Sequence, residues 1–264
     1  MKSYKQNFFV KNKIAIIILV RLKSKRLEQK ALLKLHNIKI IELLIKRILK
    51  KFPNKCIYIC TDNKNNDPLK VIAKMYKINF FRGSEINIFK RIIDMRKKYK
   101  FQHFVRVTGD NPFTNTEAIK KMSIDHVKNQ NDFTYTNSLP IGTRPEIISY
   151  EALKKANDLA IDPNSSEYMT YFFKRKIFKK EKIFFKKKFP KQDLYQITID
   201  TISDYNNVVK NFKATELLIS DKKILNKISQ FNKKYITKRT RGLRIKTSKY
   251  DVSFKGGIAN KILN

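Results

Sequence analysis

Apolar residues fall along this chain in short solid runs, each closed by a polar turn and followed by a stretch with helical spacing. Ile14–Val20 is apolar throughout, the pattern of a strand covered on both faces of a sheet. A basic loop follows, and then Ile38, Ile41, Leu44, Ile45, Ile48 and Leu49 recur three and four apart, which predicts one buried helical stripe. The alternation repeats with strands predicted at Cys56–Cys60, Ile78–Phe81 and His103–Val107. Helices are predicted between them, one with Pro68 in its first turn and one near Ile86–Tyr99. Strands alternating with helices predict an α/β fold around a central sheet.

Past residue 130 the pattern loosens. It predicts a strand over Asp132–Thr136, an extended segment over Leu139–Ser149, and helices over Tyr150–Ala160 and Ser165–Lys174. A strand near Lys182–Phe185, a late strand over Leu194–Ile199 and a helix capped by Ser203 complete the reading. The chain divides into an N-terminal extension (1–13), a main domain (14–230) with a lobe at about 138–192, and a basic C-terminal tail (231–264).

Composition narrows the class. With 264 residues and 42% hydrophobic content the chain can bury a large core, and six glycines and seven prolines exclude collagen-like or proline-rich disorder. Cys56 and Cys60 are expected on one strand face as small apolar residues. No further Cys or His stands near them to complete a zinc site. Two cysteines in a chain of this size fit a reducing, cytoplasmic setting. The net charge of +37 invites a nucleic-acid reading. Yet the excess is lysine spread from end to end together with Ile, Asn and Phe, residues that share AT-rich codons. A general basic surface that attracts anions is therefore expected rather than a nucleic-acid interface. The run Ile14–Val20 is far shorter than the roughly 20 residues that span a bilayer, so no membrane partner is expected.

Ligands of open α/β sheets sit outside the carboxyl ends of the strands, so the strand exits hold the candidate chemistry. After the first strand the loop offers Arg21, Ser24, Arg26 and Lys30, cations and a hydroxyl suited to a polyphosphate. Taken alone, the same loop also fits a lysine-rich solvated surface. The exit VRVTGDNPF places Asp110 on a glycine-containing turn, and QITIDTISDY supplies Asp200. Two such carboxylates suit Mg²⁺, which takes one or two carboxylates plus phosphate oxygens. Asp110 also fits a plain Asp-Asn-Pro turn, and an acid at a helix start is better matched by Asp204 than by Asp200. No Walker loop, GxGxxG or GxSxG element is present.

In series, IILVRLKSKRLEQK, CTDNKNNDP, FRGSE, VRVTGDNPF and ITIDTISDY resemble the motifs of the CTP-dependent sugar cytidylyltransferases over about residues 14–210. That group includes the acylneuraminate and CMP-KDO synthetases, and the likeness is closest to the spore-coat polysaccharide (SpsF-type) branch. The resemblance implies a GT-A-like Rossmannoid fold: a mixed central sheet flanked by helices, with a small inserted dimerisation and sugar-binding lobe. It implies Mg²⁺ as cofactor, CTP and a sugar as substrates, a homodimer and a cytoplasmic location. The implied activity is loading of a sugar, an acidic one such as a nonulosonic acid, as its CMP derivative with release of pyrophosphate. By position, Arg21, Ser24, Arg26 and Lys30 would face the triphosphate, with Arg82, Gly83 and Ser84 near the nucleotide. Asp110 and Asp200 would bind metal, and Arg21, Lys30 and Asp110 would be the catalytic set. Asn137 and Glu146 would help form the sugar pocket. The chain departs from the family pattern at Glu28-Gln29 (Pro-Gly in the family), at Arg144 (commonly an acid) and at Tyr168 (commonly His). The alternatives are a nucleotidyltransferase with another nucleotide or acceptor, and a basic nucleic-acid-binding protein without catalysis.

Overall fold

A computed structural model describes residues 8–24, 26–63, 67–160, 163–185 and 196–230, together with strands at 243–246, 251–255 and 258–262. In chain order these are β1 (Ile14–Leu19), a short hairpin of β2 (Lys34–Leu35) and β3 (Ile38–Lys39), α1 (Ile40–Leu49), β4 (Ile57–Asp62), α2 (Asp67–Met75) and β5 (Asn79–Gly83). Then come α3 (Ile88–Tyr99), β6 (His103–Thr108), α4 (Thr116–Lys128), β7 (Phe133–Tyr135), β8 (Glu146–Ser149) and α5 (Tyr150–Leu159). A 3-10 segment (Pro163–Lys174), β9 (Lys180–Lys182), α6 (Ile202–Asn211) and α7 (Asp221–Ile228) follow.

Seven strands make one mixed sheet in the order β5-β4-β1-β6-β8-β7-β9. β1 pairs in parallel with β4 and with β6, β4 with β5, and β7 with β9. β8 runs against β6 and β7. The α/β class with a mixed, helix-flanked sheet is as expected. β8 lies inside this sheet, so the segment read as a lobe is rooted in the sheet itself. From β1 the chain builds outward through β4 and β5, then returns to place β6 on the other side. The sheet therefore changes direction between β1 and β6, and the crevice of an open sheet forms at such a point.

β1 is apolar throughout because both its faces are covered. Ile14, Ile16 and Ile18 pack with Ile41, Leu44, Ile45 and Ile48 of α1. Ala15, Ile17 and Leu19 pack with Phe89, Ile92 and Met95 of α3. A third cluster joins the hairpin to α6 and α7 through Leu35, Phe113, Ile199, Val208 and Phe212.

Three expectations need correction. Cys56 and Cys60 do not share a face: Cys56 ends a 3-10 turn before β4 and packs in the α1-side core, whereas Cys60 lies on the α3 side. The turn breaks the alternation that a continuous strand would have carried. Of the strand expected over Leu194–Ile199, the described residues 196–199 form no strand of the sheet. Residues 194 and 195 lie outside the described set, and the rest is extended chain held by one bridge, Ile141 to Gln196, and by Ile199 N–H donating to the Asp110 carbonyl at 3.0 Å. The helix after it is capped by Thr201, not Ser203. The Thr201 hydroxyl accepts from the Asp204 N–H while the Asp204 carboxylate accepts from the Thr201 N–H, a reciprocal capping box. Asp204 is thus the helix-start acid, which leaves Asp200 for other work. Within the region read as a tail, β10 (Leu243–Lys246), β11 (Asp251–Lys255) and β12 (Ile258–Ile262) form an antiparallel three-stranded sheet.

Candidate active site

At the carboxyl ends of β1 and β6 lies a cavity of about 410 Å³, lined among others by Arg21, Ser24, Arg26, Lys30, Asp110 and Asp200. Glycine builds its wall. A Cβ at Gly109 would stand 2.8 Å from the Val20 side chain, so only glycine lets the turn after β6 lie against the exit of β1. The Gly109 N–H then donates to the Leu19 carbonyl at 2.9 Å, and the next residue, Asp110, faces the loop from β1.

Asp200 reaches the same point from far along the chain. Its segment is stitched to the β6 exit by the Ile199–Asp110 backbone bond, and Ile197 N–H donates to the Ile141 carbonyl at 2.9 Å. Gly142, at φ +88°, gives that segment room, since a side chain there would run into Thr198. Asp110 and Asp200 are 90 residues apart in sequence but share one cation. Lys30 Nζ donates to Asp110 Oδ2 at 2.5 Å and to Asp200 Oδ1 at 2.8 Å. Arg26 also donates to Asp200 Oδ1, at 2.9 Å, from a more exposed position. Burial pulls the Lys30 ammonium toward its neutral form, but the charges and hydrogen bonds of the two aspartates outweigh it and raise its pKa above the ordinary lysine value. The group is therefore charged throughout the neutral range.

The Asp110 Oδ1 oxygen is buried and accepts no hydrogen bond among the described residues. Two hard carboxylates, one with an unengaged buried oxygen, beside a basic loop, fit a Mg²⁺ ion that keeps most of its sites for water and phosphate.

The remaining sequence-derived residues are placed differently. Arg21, Ser24, Arg26 and Lys30 all line the cavity, whereas Glu28 is exposed and does not. Arg82 pairs with Asp67 at 2.7 Å on an exposed surface. Gly83 makes room for the Arg91 side chain, and Ser84 accepts from the Asn87 N–H and, through its carbonyl, from Arg91. None of these three is among the residues lining the cavity; Glu85, just beyond them, is. Asn137 is half-buried after β7 and lies off the cavity lining. Glu146 stands behind the lining, accepting from Arg106 at 2.9 Å and from the Thr170 hydroxyl at 2.8 Å. Of the departures from the family pattern, Tyr168 lines the cavity, and Arg144 donates instead to the Leu139 carbonyl.

Sequence reasoning did not single out Arg91, Arg106, Thr170 and Tyr171, which all line the cavity. Arg106 carried a signal: it alternates with buried Val105 and Val107 and so shares a sheet face with Thr108. Arg91 stands out as an arginine inside the apolar stripe of α3. There it is buried and braces the carbonyls of Ser84 and Glu85.

Residues 15–239 match the family model described as cytidylyltransferase. An uncharacterised protein of Methanocaldococcus jannaschii is 33% identical over 214 residues, 79% of this chain and 87% of that protein. The spore coat polysaccharide biosynthesis protein SpsF of Bacillus subtilis is 25% identical over 205 residues, 75% of this chain and 85% of SpsF. That lower identity supports the family and does not single out the SpsF branch. Among solved structures, a cytidylyltransferase from Leptospira borgpetersenii superposes with a TM-score of 0.72 at 24% identity, covering 83% of this chain and 98% of that one. A CMP-KDO synthetase solved with CTP gives 0.58 at 12% identity over 75% and 97% of the chains. A Mycobacterium tuberculosis protein solved with manganese gives 0.55 at 11% over 76% and 100%. These likenesses bear out the nucleotidyltransferase-like fold that the motif resemblance implied. The chain belongs to the cytidylyltransferase family, the CTP-dependent nucleotidyltransferases.

Proposed function

We propose that this enzyme activates a sugar, an acidic one, as its CMP derivative, with pyrophosphate as the second product. The observation that carries the reading is the meeting of Asp110 and Asp200 around one cation at the rim of a basic cavity. The reaction forms a bond between a sugar hydroxyl oxygen and the α-phosphorus of CTP and breaks the bond from that phosphorus to the bridging oxygen. The electron pair leaves on pyrophosphate, and the hydroxyl proton passes to solvent or a nearby base. Little covalent work falls to the protein, so positioning and charge neutralisation dominate. Arg21, Ser24 and Arg26, on the loop after β1, suit the phosphates. Asp110 and Asp200 would hold Mg²⁺, which supplies Lewis-acid neutralisation of phosphate charge when bound. The manganese and CTP complexes of structural neighbours support a divalent ion and this nucleotide.

Arg106 supports an anionic acceptor. It lies on β6 four residues before Asp110, lines the same cavity, and has a buried Nε without a hydrogen-bond partner among the described residues. Glu146 accepts from one end of its guanidinium, and the Thr170 hydroxyl, donating to the same Glu146 oxygen, holds that carboxylate in place. An arginine so braced can fork onto a sugar carboxylate. We also expect a homodimer. A thermal-shift comparison of CTP, UTP, ATP and GTP with Mg²⁺, followed by mass detection of CMP-sugars from a panel of acidic and neutral sugars, tests the reading. CTP alone should shift the melting temperature, and acidic sugars should give product. A shift by ATP but not CTP, or product only from neutral sugars, would overturn it.

A further inference from the structure

We propose that Lys30 is an exchangeable counterion. It holds Asp110 and Asp200 together in place of the divalent cation, and it gives up that position when metal arrives with the nucleotide. The inference rests on the reading above that these two aspartates are the metal ligands.

Two carboxylates brought to one point repel each other unless a cation lies between them. Here that cation is the Lys30 ammonium, at 2.5 Å from Asp110 Oδ2 and 2.8 Å from Asp200 Oδ1. The lysine and both aspartates are largely buried, with side-chain exposures of 13%, 19% and 7%, so bulk water screens little of the attraction. An ion that binds the same oxygens at about 2.0–2.1 Å needs the space the ammonium fills. On the two oxygens that Lys30 holds, Asp110 Oδ2 and Asp200 Oδ1, occupancy by the ammonium and by a bridging metal is therefore exclusive.

The position of Lys30 makes the exchange feasible. It opens the short 3-10 turn Lys30–Leu32 in the loop after β1, off the sheet, and its flexible four-carbon stem can re-aim. Its next partner is close, because the same loop carries Arg21, Ser24 and Arg26 along the cavity wall. A triphosphate there offers Lys30 replacement oxygens at the moment the metal takes the aspartates. Without nucleotide no such partner is present, and displacing Lys30 would leave a buried ammonium unpaired, at a large cost. Metal should thus bind weakly alone and enter as a metal–nucleotide complex.

The test is titration of Mn²⁺ against the full-length protein without nucleotide or sugar, with free Mn²⁺ followed by electron paramagnetic resonance. Lys30→Met should bind Mn²⁺ at least about tenfold more tightly than wild type, and the double variant Lys30→Met/Asp110→Asn should lose the gain. Lys30→Gln should follow Lys30→Met, and melting curves establish that each variant is folded. Arg26→Met removes a charge from the same Asp200 oxygen but leaves Lys30 in place, so its gain should be much smaller. Equal affinity in wild type and Lys30→Met, an equal gain from Arg26→Met, or a gain that survives Asp110→Asn would overturn the proposal. Because no nucleotide or sugar is present, failure here is distinct from failure to form a CMP-sugar.

Discussion

Gln29 precedes Lys30 in the left-handed region at φ 47°, where the family pattern has glycine. That conformation costs a residue with a Cβ roughly 1–2 kcal/mol, partly offset by the greater freedom of an unfolded glycine. Gln29→Gly should therefore stabilise the protein by about 0.5–1 kcal/mol, read as a higher urea midpoint with unchanged slope; a loss of stability would contradict the strain. Gly109 is the opposite case. Gly109→Ala should push the Asp110 turn off Val20, destabilise by about 1–3 kcal/mol and lower turnover, as paired melting and activity measurements would show. Asp110 and the basic loop with Lys30 were legible in the sequence because they follow the exits of β6 and β1, whereas Asp200 was reached through an apolar run that is not a strand of the sheet. Lys30 was assigned to phosphate because nothing in its local sequence shows that two distant aspartates reach it. The inward faces of Arg91 and Arg106 depend on packing between elements, and the same distance effect hides the role of Glu146 as the brace of Arg106.

At the scale of elements, α7 is latched to the body of the fold through Asp221. This buried carboxylate pairs with Arg47 of α1 and accepts from the Thr116 N–H and hydroxyl and the Glu117 N–H at the start of α4. Burial alone would raise its pKa, but the Thr116 hydrogen bond, the Arg47 and Lys51 charges and the Glu117 amide together hold it below the usual value. The stabilisation is present above the unfolded carboxylate pKa near 3.9 and is lost as pH falls through the lower folded value. Asp221→Asn should cost about 3–5 kcal/mol at pH 7, because it leaves the Arg47 guanidinium buried without its charge partner. The variant should also show a shallower loss of stability below pH 4 in urea titrations; an unchanged acid limb would contradict the latch. Most strands and helices up to residue 130 were readable from periodicity, since buried strands and one-sided helices impose it; the β2–β3 hairpin was not, and Ile38, read as part of the helical stripe, lies in β3. The extended chain before Asp200 was misread as a strand because its apolar residues, Ile197 and Ile199, face the α6–α7 core rather than a sheet. An apolar run does not distinguish those two environments.

For the molecule as a whole, the core on the β6–α4 side encloses one histidine, His126, with the half-buried His103 against it. His126 is fully buried, its Nδ1 lies 2.9 Å from the Thr134 hydroxyl, and its ring meets His103 edge-on. Burial, with His103 adding to it, pushes its pKa down to about 3. The unfolded chain takes up a proton below pH 6.5 that the fold refuses, so stability should fall as pH drops from 6.5 toward 3, by about 1.4 kcal/mol per unit for this group. Unfolding midpoints at pH 7 and 5 should differ more in wild type than in His126→Asn; equal differences would contradict it. The +37 charge belongs to this scale as well, as a general attraction for anions, while the proposed chemistry rests on the pair Asp110 and Asp200 beside the β1 and β6 exits. That pair is tested most directly by pyrophosphate release from CTP with Mg²⁺ and acidic sugars, comparing wild type with Asp110→Asn. Sugar-dependent release in wild type that falls at least about 100-fold in the variant, with the fold intact, is the predicted result. Release that is unchanged in Asp110→Asn would contradict the account.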